Sequence, residues 1–155
     1  MVSVIIASRK EIPLLSKLLI GFRDELGRAA PTTGEIEQSL ETLLADSSAD
    51  FFVAMDKSAN CLGYLQQRYR YSVWLTAFEA SIEDLYVAPE HRRLGIGSAL
   101  VKASLAEAAE KGCKLVTVDT NEVNGAALAL YESFGFFSGS SKFPGKRQLL
   151  LKKRM

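Results

Sequence analysis

The chain has 155 residues, of which 48% are hydrophobic and 24% charged, with a formal net charge of +1. That length and balance suit one globular domain over residues 1–155 with a sizeable core, and they exclude a disordered chain. They also exclude a broad nucleic-acid-binding face, which calls for a strongly basic domain.

Taken in chain order, Val2 to Ala7 is short and β-branched and predicts a first strand. Ile12, Leu15, Leu18, Leu19, Phe22 and Leu26 recur at helical spacing, and Gly27 ends that helix. Thr32 followed three places on by Glu35 reads as a capping box, with Ile36, Leu40, Leu43 and Leu44 as the stripe behind it. "FFVAMD" and "CLGYLQQRYRYSV" predict a hairpin around the polar turn "KSAN", and "ASIEDLYV" a further strand stopped by Pro89. Gly97, Val101, Leu105, Ala108 and Gly112 line one side of a third helix. "KLVTVDT" predicts the next strand. Ala127, Leu130, Tyr131 and Phe134 line a fourth helix, with Tyr131 expected near its start and Gly135 as its stop. "KRQLLLKKR" predicts a last strand with a basic end. Consecutive central strands favour antiparallel pairing, whereas the strand–helix–strand unit from Ile82 to Val118 favours a parallel crossover. The expected fold class is α/β, of the α+β mixed-sheet kind: a central, mostly antiparallel sheet flanked by helices.

Cys61 and Cys113 are far apart and form no CxxC, so they read as reduced thiols of a cytoplasmic protein. The start "MVSVIIASRK" shows no signal-peptide pattern, and no apolar run approaches a membrane span. No His/Cys/Asp cluster has metal-ligand spacing, so no metal is expected.

The most informative stretch is Arg92-Arg93-Leu94-Gly95-Ile96-Gly97-Ser98, between a strand and a helix. Glycines permit tight turning and close backbone approach, and the first N–H groups of a helix have no internal partner. Helix dipole and arginine charge both favour an anion there. The plainer reading is a tight turn with solvated arginines. A nucleotide P-loop is excluded because no lysine stands in place, and a dinucleotide fingerprint because Leu100 occupies its third small position.

The segment "VAPEHRRLGIGSAL" resembles the signature of the GCN5-related N-acetyltransferase (GNAT) family, Arg/Gln-x-x-Gly-x-Gly/Ala, with Arg92, Gly95 and Gly97 in its defining places. "NGAALALYESFGF" resembles the family's later motif through Asn124, Tyr131 and Gly135-Phe136. The order of elements matches too, so the resemblance covers nearly the whole chain and implies the acyl-CoA N-acyltransferase fold. It implies acetyl-CoA as the acetyl donor. Its pyrophosphate would lie on Arg92, Arg93, Leu94, Gly95, Ile96, Gly97 and Ser98, its pantetheine arm along Leu85, Tyr86 and Val87, and Asn124 and Tyr131 would also contact it. The resemblance makes Tyr131 the general acid at the coenzyme sulfur; the plainer role is a core aromatic. Asn124 also suits a helix N-cap, and the two roles are compatible.

Acetyl transfer to an amine needs a base. Glu83 and Asp84 are adjacent on the cofactor strand, and if Glu83 shares a face with Leu85 and Val87, burial would raise its pKa and suit it to that work. The sequence "YSVWLTAFEASIEDLYV" resembles the diamine and polyamine acetyltransferase branch, which implies a substrate site drawn from Tyr71, Trp74, Glu83 and Asp84. Plain salt-bridge roles for the two carboxylates remain open. The sole histidine, His91, reads as a loop residue, and Cys113 as packing. The expected function is acetylation of a primary amine on a small molecule, such as a diamine, polyamine or amino acid. The alternatives are protein or peptide N-acetylation and a non-catalytic coenzyme A sensor. No nucleic-acid or membrane partner is expected. The leucine-rich tail and the branch resemblance point to a homodimer.

Overall fold

The computed structural model describes residues 1–139, 145–146 and 149–155. They fall into two compact units, Met1–Asp119 and Thr120–Met155.

The first unit opens with β1 (Ser3–Ile6) and a single 3-10 turn (Arg9–Glu11), then α1 (Ile12–Glu25) and α2 (Thr33–Leu44). There follow β2 (Ala49–Met55), β3 (Cys61–Ser72), β4 (Ala77–Val87), α3 (Ile96–Glu110) and β5 (Cys113–Val118). The five strands lie side by side in sequence order, antiparallel from β1 to β4, with β5 parallel to β4. This is the mixed, mostly antiparallel sheet that the strand order predicts. The capping box of α2 forms as read: Glu35 N–H donates to Thr32 Oγ1 at 3.3 Å, and Thr32 N–H to Glu35 Oε2 at 2.7 Å.

Alternation along the strands gives the sheet two different faces. One carries Phe51, Val53, Tyr64 and Tyr86 into a core closed by Leu15, Leu18, Ile36 and Leu40 of α1 and α2. The other receives α3, where Ala108 packs on Tyr69 and Ala80. A buried polar bridge also ties α3 down. Gln67 Nε2 donates to the Ser104 carbonyl and to Tyr69 Oη, both at 3.0 Å, and Tyr69 Oη donates to Asp50 at 2.8 Å.

The structure departs from the sequence reading in two places here. The buried stripe of α3 is Ile96, Leu100, Val101, Ser104 and Ala108, not one running through Leu105 to Gly112. An alanine-rich helix apolar on several sides leaves its own inward face ambiguous, and Gly112 lies beyond it at φ +73°. Secondly, β4 begins at Ala77, so β3 and β4 make one long hairpin turning at 73–76. Apolar Val73, Trp74 and Leu75 disguise that turn. Cys61 and Cys113 are free, half-buried thiols, in keeping with their reading as reduced cysteines.

In the second unit, α4 spans Gly125–Ser133. Asn124 caps it, accepting from Ala127 N–H at 3.2 Å, and Gly135 closes it at φ +86°. Tyr131 is buried in the last turn of α4, not near its start, and its ring meets Phe136 edge-on at 5.7 Å. Of the expected last strand, residues 147–148 lie outside the described residues. Residues 149–155 form no strand, and Leu149, Leu150 and Leu151 are exposed.

Candidate active site

The site begins where β4 parts from β5. The parallel ladder runs from Phe78↔Cys113 to Ile82↔Val118 and stops. At that point Gln67 faces Ile82 and Gln66 faces Asp84, which leaves Glu83 as the extra residue of a β-bulge. A bulge bends its strand and adds twist. Beyond it, Asp84, Leu85, Tyr86 and Val87 pair with β3 alone among the described residues. Their other backbone edge is a template to which an extended chain can add hydrogen bonds. Gly63 keeps β3 tight against this segment, since a Cβ there would stand 2.6 Å from the Tyr86 carbonyl oxygen.

Past Val87 the chain makes one 3-10 turn, Pro89–His91, and then enters the glycine loop. Arg93 takes φ +66°, and Gly95, the N-cap of α3, takes φ +78°. A glycine adopts that left-handed conformation without a Cβ penalty. The first helical bond is Ala99 N–H to the Gly95 carbonyl at 3.0 Å, so the amides of Ile96, Gly97 and Ser98 come before the helical ladder. The space around Gly95 is open: a Cβ there would meet nothing within 4 Å. Gly95 and Ser98 are exposed, whereas the Ile96 side chain is buried and only its N–H can serve a ligand. This cradle fits a pyrophosphate: free amides at the positive end of a fifteen-residue helix, with room above them.

Arg92 and Arg93 are exposed, and Leu94 is 68% exposed. Arg92 donates from Nε to the Val87 carbonyl at 2.9 Å and from Nη2 to Glu25 at 2.6 Å. That hydrogen bond holds the Glu25 carboxyl below the usual range.

The carboxylate pair divides unequally. Glu83, at the bulge, is exposed, not set among apolar neighbours, so the burial argument does not apply to it. Asp84 is the half-buried one. Burial pushes its pKa up and the charge of Glu83 adds to the rise, while the Tyr64 hydroxyl opposes it. Tyr64 itself is fully buried. Among the described residues its hydroxyl has no partner at full hydrogen-bonding geometry, yet it lies close enough to Asp84 for each to shift the other's titration. Nothing in the sequence singles out Tyr64. Only the register, with Tyr64 opposite Tyr86 and Gln66 opposite Asp84, brings it to the acidic pair.

Tyr71 and Trp74 lie elsewhere. Both are exposed near the β3–β4 turn, where Tyr71 meets Phe78 edge-on at 5.4 Å. Tyr71 is five residues along β3 from Gln66, the partner of Asp84, or about 17 Å at a strand's rise. The structure therefore gathers Asp84–Val87 and Arg92–Ser98 around one strand end and leaves Tyr71 and Trp74 at the other. Asn124 and Tyr131 belong to the second unit, in the positions described above. Among the described residues, no group of three or more His, Cys, Asp or Glu side chains could hold a metal ion, and no helix is long and apolar enough to cross a membrane.

A mixed sheet whose bulged strand leaves its parallel neighbour, followed by a glycine-bounded helix start, defines an acyltransferase of the N-acetyltransferase fold. Residues 19–136 match the profile of the acetyltransferase (GNAT) family, and the chain belongs to that family. It is 31% identical over 123 residues to thialysine N-epsilon-acetyltransferase of Sus scrofa, a match covering 72% of either chain. It is 29% identical to streptothricin acetyltransferase of Streptomyces lavendulae, over 82% of this chain and 61% of that one. Among solved structures, an aminoglycoside acetyltransferase from an uncultured soil metagenomic sample, in complex with sisomicin, superposes with a TM-score of 0.76 at 21% identity. That superposition covers 99% of this chain and 95% of the other. The likeness is one of fold.

Proposed function

We propose that this enzyme transfers an acetyl group from acetyl-CoA to a primary amine of a small molecule. The observation that carries the reading is the open edge of Asp84–Val87 running into the free amides of Ile96–Ser98. An extended pantetheine arm and a pyrophosphate need those two features in that order. The thialysine and streptothricin acetyltransferases, with an aminoglycoside enzyme of the same fold, support a small amine as the acceptor class.

When bound, acetyl-CoA supplies a thioester; the chain supplies position and proton handling. An alkyl amine has a pKa near about 10.4, so at neutral pH it must lose a proton before it can attack. Asp84 takes that proton, directly or through water, and Glu83 at the bulge draws the cation in. The half-burial of Asp84 supports this choice over Glu83. The amine nitrogen then bonds to the acetyl carbon as the carbon–sulfur bond breaks. Tyr131 gives its proton to the leaving sulfur, and the second proton that the acetylated nitrogen sheds returns through water to the tyrosine; the motif that carries Tyr131 supports the acid role. The products are an amide and free coenzyme A.

The test is a panel of diamines, polyamines, amino acids and aminoglycosides incubated with enzyme and acetyl-CoA, with free thiol followed by colour and the product by mass. Thiol release matched by a product one acetyl group heavier is the expected result. No thiol release from any amine, with no coenzyme A binding by calorimetry, would overturn the reading.

A further inference from the structure

Arg92, the first residue of the glycine signature, is held from two sides. One arm reaches the Val87 carbonyl at the end of β4; the other reaches Glu25 Oε2, 67 residues away in sequence. Its guanidinium also lies over the Tyr86 ring, 5.8 Å from the centroid. Glu25 is the last residue of α1, and the same end of α1 meets β4 twice more. Phe22 stacks on Tyr86 at 5.0 Å. Gly21 makes room for the Tyr86 hydroxyl, from which a Cβ would stand 3.1 Å. Three residues of one helical turn thus grip the strand end from which the loop springs.

Stability does not account for Glu25. A carboxylate at a helix C-terminus faces the negative end of the macrodipole and is disfavoured there. The ion pair is 40% and 42% exposed at its two side chains, and exposed pairs add little. What the pair does is geometric: it fixes the Arg92 fork, and with it the backbone on both sides of the turn.

We propose that Glu25 is a positioning residue for coenzyme binding, acting through Arg92 to hold the Arg92–Ser98 loop against the end of β4. The inference rests on the coenzyme reading above. Glu25→Gln keeps the size and removes the charge. It should weaken coenzyme A binding about 2- to 5-fold by calorimetry and raise KM for acetyl-CoA by the same factor, with kcat unchanged. Arg92→Ala should weaken coenzyme A binding at least as much, and the double variant should bind no worse than Arg92→Ala alone, because Glu25 acts through Arg92. Parental binding by Glu25→Gln overturns the inference. So do losses that add in the double variant, or a fall in kcat at constant KM. Tighter binding also overturns it, since Glu25 would then be competing with phosphate for Arg92. Failure of the parent enzyme to bind coenzyme A overturns the coenzyme reading itself, and this inference with it.

Discussion

Asp84 is the residue whose surroundings bear most on the proposed chemistry. Its carboxyl is half-buried, so burial favours the neutral form and raises its pKa above the ordinary aspartate value. The sign for activity follows. The proposed base must be ionised, so kcat/KM should fall as pH drops through a limb lying above that ordinary value. Asp84→Asn should remove that limb and lower kcat/KM by about 10²–10⁴-fold. The sign for stability is opposite. A carboxyl with a raised folded pKa binds its proton more tightly when folded, so stability declines as pH rises from the unfolded pKa through the folded one. Asn carries no charge to desolvate; Asp84→Asn should therefore melt higher than the parent at neutral pH while losing activity, a trade expected where function keeps a costly group in place. An unchanged pH–rate profile for a folded Asp84→Asn would assign the base elsewhere. Tyr131 is a milder case. A thiolate of pKa near about 8.5 can leave without full protonation, so Tyr131→Phe should slow turnover rather than abolish it. Coenzyme A binding should survive, since the ring and its contact with Phe136 remain. Turnover of Tyr131→Phe at the parental rate across the pH range would move the acid role to another group or to solvent.

At the scale of elements, the glycine loop rests on one backbone conformation. Gly95 stands at φ +78° with open space where a Cβ would go, so a side chain there meets strain rather than collision. Gly95→Val should destabilise the protein by about 1–2 kcal/mol. The valine side chain would stand in the space that a pyrophosphate needs. Calorimetry on folded Gly95→Val should show coenzyme A affinity lost; unchanged affinity would exclude the loop as the phosphate site. The turn itself was legible in the sequence, because turn chemistry is local: two glycines within a few residues of a helix start carry it. The bulge in β4 was not. "SIEDLYV" alternates well enough to read as a regular strand, and only pairing with β3 reveals that Glu83 has no opposite number. Asp84, two residues before buried Tyr86 on the same face, takes the half-buried place, and the bulge leaves Glu83 exposed. Long-range register is what the local pattern cannot carry.

Across the molecule, the antiparallel pairing of the central strands and the parallel crossover followed from element order, because short connections and handedness leave few arrangements. Surface partners are a different matter. Two groups stand out among the exposed apolar side chains, Tyr71, Val73, Trp74 and Phe78 around the β3–β4 turn and Leu149–Leu151 in the tail. Exposed apolar groups gathered in one place commonly mark an association surface. The proposed homodimer would cover at least one of these groups, and light scattering should give a species of twice the 17.0 kDa chain mass. Trp74 is the sole tryptophan and is 83% exposed in the single chain, so its fluorescence reports on the turn alone. If the turn is the interface, emission should shift to the blue and acrylamide quenching should fall as concentration rises through the association range. A doubled mass with unchanged Trp74 emission would put the contact away from the turn. Replacing Leu149, Leu150 and Leu151 by serine should then return the mass to that of one chain. A single 17.0 kDa species at every working concentration would show that neither group is covered by a second copy, and the dimer proposal would fall.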